Sequence, residues 1–188
     1  MSKGRLEAFS DAVIAILMTI MVLELKVPLG TDWRAFEPIV PVFLTYVLSF
    51  VMLGIYWNNH HHMFQMTDRI NGAMLWANMH LLFWLSLVPF VTGWMGENHF
   101  APLPTAVYGA VLLLSAIAYT ILFRVIIAHQ GNKRLAAAVG KDTKGLMSML
   151  FYAAAIPLAF VNQWIADGLY VLVALIWLVP DRRIESKL

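Results

Sequence analysis

Six apolar stretches, residues 7–27, 36–57, 73–94, 105–128, 145–161 and 165–179, are separated only by short polar links. A helix rises about 1.5 Å per residue, so ~20 apolar residues cross the ~30 Å hydrocarbon core of a bilayer. Lipid offers a backbone no hydrogen-bond partner, so such runs must fold as helices or as a closed barrel. Their length favours helices. Composition points the same way: of 188 residues 61% are hydrophobic and 13% charged, where soluble domains hold roughly 45–50% and 25%. The expectation is an all-α, polytopic membrane protein of six transmembrane helices forming one domain over residues 1–188.

Punctuation sets the limits of these spans. Pro28 stops the first, and Pro38 and Pro41 fall in the opening turns of the second. Pro89 predicts a kink in the third, and Pro102 and Pro104 precede the fourth. A tight turn at Asn162 and Gln163 makes the fifth and sixth an antiparallel hairpin. Lys3 and Arg5 before an apolar run resemble a secretory leader, but Glu24-Leu25-Lys26-Val27-Pro28 offers no small-residue cleavage site. The first helix is therefore expected to be retained.

With six spans, Lys3, Arg5, Arg69, Arg124, Lys133, Arg134, Lys141, Lys144, Arg182, Arg183 and Lys187 share one side of the membrane, and only Lys26 and Arg34 the other. That asymmetry predicts cytoplasmic termini. Trp33, Trp57, Trp94 and Trp164 stand near span ends, where interfacial anchors belong.

The first helix carries the chemistry. At about 100° per residue, Ile16, Ile20 and Leu23 share one face, extended by Thr19, Ala12 and Phe9, whereas Asp11 lies about 140° from Ile16. By spacing alone this stripe packs on a neighbouring helix as readily as it lines a pore, and the Thr19 hydroxyl can bond back to a carbonyl one turn earlier. Asp11 is costly in a span and calls for a partner. Arg5, Trp57, His60, His61 and Asn78 are available on its side of the membrane.

Other chemistries find little support. With no cysteine, disulfides and thiolate metal sites are excluded. Consecutive His60, His61 and His62 diverge around a helix and cannot share one ion, and His80 stands alone, so no metal or other cofactor is expected. Nothing suggests nucleic-acid binding, and Ser10-Asp11 has no histidine at a catalytic spacing. Neither a Thr-Val-Gly-Tyr-Gly filter nor an arginine-rich voltage sensor is present. A secondary transporter would ordinarily show inverted repeats and broken helices; Pro89 and Pro157 could break helices, but no repeat is visible. A histidine-dependent membrane enzyme or metal-binding protein is a further alternative.

Arg5-x-x-x-Phe9-Ser10-Asp11-Ala12-Val13-x-Ala15-Ile16-x-x-Thr19, followed by Val22-Leu23 and Pro28, resembles the first-helix signature of the lysosomal potassium-channel family, transmembrane protein 175. Tyr46, Ser49, Phe50, Trp57, His60, His61 and Phe64 continue the resemblance, as do Asn78, Leu85 and Pro89-Phe90. It spans roughly the first half of the chain. The signature occurs once, as in the six-helix bacterial members. The resemblance implies a potassium-permeable cation channel, with permeant potassium ions and membrane lipid as partners, assembled as a homotetramer around four first helices. It places the hydrophobic gate at Ile16, Ile20 and Leu23, and a threonine ring, the selectivity candidate, at Thr19. It puts Arg5, Ser10, Asp11 and one of His60 or His61 in a hydrogen-bonded network behind the pore, with Trp57 and Asn78 beside them. The expected location is the cell membrane.

Overall fold

The structure is a computed structural model that describes residues 2–65, 67, 69–130 and 143–178. Among these residues it is all-helical: α1 Lys3–Ile20, α2 Val40–Gln65, α3 Gly72–Ser86, α4 Val88–Glu97, α5 Pro102–Gln130, α6 Thr143–Leu158 and α7 Gln163–Leu178. Six rods result, because α3 and α4 continue one another across a break at Leu87. Lys133, Arg134, Lys141, Arg182, Arg183, Lys187 and the end of the sixth span at Val179 lie outside the described residues.

Four rods, Lys3–Glu24, Trp33–Gln65, Gly72–Glu97 and Pro102–His129, are long and apolar enough to cross a membrane. The expected six-helix architecture is present, and at the hairpin only the bounds shift, to Thr143–Leu158 and Gln163–Leu178, with 16 residues each among those described. That is ~24 Å of helix. The apolar run was misleading because Ala159, Phe160 and Val161 belong to the turn, whose amides bond to carbonyls three or four residues back. The Asn162 side chain then caps α7, accepting from Trp164 N at 3.0 Å.

The other boundaries follow from local chemistry. The first rod does not stay α-helical to Val27: it tightens into a 3₁₀ turn over Met21–Glu24 and becomes extended before Pro28. The second begins as a 3₁₀ segment, Trp33–Ile39, capped by Asp32 and containing Pro38. Pro89 produces a break rather than a gentle kink. It has no amide hydrogen and its ring crowds the carbonyl four residues earlier, so α3 closes at Ser86 and Pro89 sits in the first turn of α4. Pro102 and Pro104 likewise occupy the first turn of α5, where a missing amide costs nothing.

Between α4 and α5 the chain reverses through His99 and Phe100, both left-handed at φ 51° and 60°. Such a conformation costs roughly 1–2 kcal/mol per residue. Phe100 N bonding Met95 O at 3.0 Å, and the Phe100 ring against Trp164, hold the turn in place.

In the bundle, α3 and α6 lie along α5, α4 lies along α2, and α7 closes on α6. Bare glycines permit two close approaches. A Cβ on Gly96 would stand 2.7 Å from Val42 Cα, and one on Gly109 would collide with the Tyr170 hydroxyl. Buried hydroxyls tie helices together: Thr92 and Ser49 pair at 2.7 Å, Ser49 and Tyr108 pair at 3.0 Å, and Tyr170 donates to Thr105 O at 3.0 Å. Inside a bilayer these bonds have no water to compete with.

Candidate functional site

Helix α1 leans on the bundle with one face. Leu6, Ser10, Ile14, Leu17 and Met21 are buried, at spacings of three and four that make one stripe. They pack toward α2 and α3. The opposite face is turned away from the rest of the chain. There Ile16 is 55% exposed, Ile20 40% and Leu23 78%, with Phe9, Ala12, Ala15 and Thr19 also exposed. Apart from Thr19 this stripe is apolar. The Thr19 hydroxyl donates back to Ala15 O at 3.1 Å and Ile16 O at 2.9 Å. Its proton is thus directed into the helix and its oxygen lone pairs point outward.

Behind α1 the polar residues divide into two groups. The buried one runs across three helices: the Asn78 side-chain amide donates to Ser10 Oγ at 2.9 Å, its carbonyl meets His60 Nε2 at 2.8 Å, and Ser10 passes its own proton to Leu6 O at 2.9 Å. Asn78 accepts through its carbonyl, so His60 carries a hydrogen on Nε2. The second group lies at the rim, where Trp57 Nε1 donates to Asp11 Oδ1 at 3.0 Å. Neighbouring residues on a helix diverge by about 100°, which is why Ser10 enters the interior while Asp11 reaches sideways to α2. Arg5 is exposed and joins neither group, and His61 is exposed and bonds Gln65 at 2.9 Å. Among the described residues no three His, Asp or Glu side chains converge as metal ligands would.

At the far end of α1, Lys26 meets Glu97 of α4 at 2.8 Å. This bond, reinforced by the negative charge of Glu97, raises the pKa of the Lys26 ammonium. Glu24 lies over the bare backbone of Gly93. Both carboxylates border an open cavity of about 630 Å³, which His99 also lines.

Sequence reasoning overlooked three features. The Thr92–Ser49–Tyr108 bridge joins residues far apart in the chain and has no local signature. The Lys26–Glu97 pair is equally remote in sequence. The third is the shielding of a carboxylate inside the last described helix. Asp167 sits inside α7, both its oxygens shielded and without a hydrogen-bond partner among the described residues.

Comparison with known proteins adds to this geometry. The sequence profile of the family described as endosomal/lysosomal potassium channel TMEM175 matches residues 5–89. A protein of Chryseobacterium sp. (strain P1-3) named as a potassium channel is 57% identical over 100% of this chain and 98% of its own length. One from Streptomyces collinus, also named as a potassium channel, is 31% identical over 92% of this chain and 90% of its own. The crystal structure of a lysosomal potassium-selective channel TMEM175 homolog from Chamaesiphon minutus superposes with a TM-score of 0.79. It has 28% identity and covers 94% of this chain and 96% of that one.

Proposed function

We propose a function from one premise: this chain belongs to the TMEM175 channel family, among its bacterial members. It is a multi-pass membrane protein and a channel rather than an enzyme. The reading is a potassium-permeable pore in the cell membrane with cytoplasmic termini, formed by four copies whose α1 helices surround a central path. It needs no cofactor beyond the permeant potassium ions, and lipid and its own copies are its partners.

The exposed stripe of α1 carries this reading. A helix that buries Leu6, Ser10, Ile14, Leu17 and Met21 against its own chain while turning Ile16, Ile20 and Leu23 outward has a second surface to satisfy. From Ile16 to Leu23 the rise is ~10 Å, room for two or three stacked apolar rings. Narrow apolar rings close a pore by dewetting, because an ion would have to shed its hydration to pass. Thr19, with lone pairs outward, supplies four oxygens between those rings and is the proposed selectivity element. Arg5, Ser10, Asp11, Trp57, His60, His61 and Asn78 are proposed to support α1 from behind and from its flanks.

The test is potassium flux into vesicles holding purified protein. Ile16→Asn or Leu23→Asn wets the constriction, and resting flux is expected to rise severalfold. Flux unchanged by either substitution would remove the gate from α1. Thr19→Val keeps the shape and deletes the oxygen, so potassium-over-sodium preference should fall while total flux persists. Asp11→Ala should impair assembly more than selectivity.

A further inference from the structure

The flanks of α1 identify how one copy meets the next. At its N-terminal end α1 packs against both α2 and α3, and the His60–Asn78 bond fixes these two helices at one height. Two residues before His60 is Asn58, and two residues after Asn78 is His80. A step of two turns a side chain by about 200°, so both point away from the shared node, Asn58 away from α3 and His80 away from α2. Because α2 and α3 run antiparallel, both steps move ~3 Å in the same direction along the bundle. Asn58 and His80 therefore stand at one height on opposite outer flanks.

Both side chains are exposed in the single chain, and their hydrogen-bonding capacities are complementary. Trp84 Nε1 can only donate, and it donates to His80 Nε2 at 2.9 Å. The neutral His80 ring then carries its hydrogen on Nδ1, free to donate outward. Asn58 has no side-chain hydrogen bond among the described residues and offers a carbonyl acceptor. His80 otherwise stands among exposed apolar neighbours on α3, Trp76, Met79 and Phe83. A polar group on such a face is costly against lipid and favourable against protein.

We propose that α2 of one copy packs against α3 of the next around the ring, with Asn58 of the first paired with His80 of the second. This rests on the reading of α1 as the shared pore helix. Rotation about an axis along the pore leaves heights unchanged, so two groups level within one chain are level between neighbours. The interface is heterologous and closes as a ring.

The absence of cysteine makes the test direct. In membranes, mild oxidation of the double variant Asn58→Cys/His80→Cys is expected to give a covalent ladder up to the full ring. Either single variant should remain uncrosslinked. Should the double variant fold poorly, differently tagged Asn58→Cys and His80→Cys chains, co-expressed, should give a two-tag dimer. Native mass measurement of the unmodified protein separates the two readings. An assembled protein that gives neither ladder nor two-tag dimer overturns this contact alone, and crosslinking in a single variant would indicate a different packing. A monomeric mass overturns the ring and the contact together.

Discussion

Asn78 is the residue on which the buried network depends. It alone bonds both Ser10 and His60, so Asn78→Ala strands the His60 Nε2 hydrogen in the interior and leaves a cavity, while Ser10 keeps only its bond to Leu6 O. Each buried group left without a partner costs roughly 1–3 kcal/mol. Ser10→Ala strands only the Asn78 amide, and Trp57→Phe removes a bond at the exposed rim worth about 1 kcal/mol or less. The thermal midpoint of the protein in detergent should fall most for Asn78→Ala, less for Ser10→Ala and least for Trp57→Phe. A larger drop for Trp57→Phe would mean that the Asp11 rim, rather than the interior node, anchors α1. The wheel separated Asp11 from the apolar stripe using sequence alone. It did not separate Asp11 from Ser10, because the partner each selects depends on where α2 and α3 lie, and that is a tertiary fact.

At the scale of elements, prolines and apolar run lengths made most rods legible, and they failed where hydropathy and helicity part company. Ala159, Phe160 and Val161 are apolar but turn, and Met21–Glu24 continues the apolar run while its hydrogen bonding tightens to 3₁₀. Glycine has the same ambiguity, since sequence does not say which glycine a neighbour needs bare. Gly96 and Gly168 both lie in helices, and only the structure distinguishes them. A Cβ at Gly96 meets Thr45 Oγ1 at 2.6 Å and Val42 Cα at 2.7 Å, whereas one at Gly168 meets nothing within 4 Å. Gly96→Ala must push α4 off α2 and should destabilise by about 1–3 kcal/mol. Gly168→Ala should stabilise by about 0.5–1 kcal/mol by stiffening the unfolded chain. Thermal melts of the two variants side by side check the contrast, and equal shifts would contradict the close α2–α4 approach.

For the whole molecule the question is how many chains share one ion path, and the stripe on α1 allows it to be counted. The chain has no native cysteine, so Ile16→Cys places one thiol per subunit at the proposed constriction. A bulky, charged thiol reagent attached there should block conduction, and one labelled subunit should suffice if all four helices meet at one axis. When labelled and wild-type chains mix randomly in equal amounts, roughly one ring of four in sixteen contains no thiol. Flux after labelling should therefore fall to about a sixteenth of its starting value. If each chain enclosed its own path, half the paths would be untouched and about half the flux would remain. A remainder near one half would refute the shared pore even with every helix correctly placed, because each label would then block only a path enclosed by its own chain, and undiminished flux would turn the stripe toward lipid or a neighbouring chain.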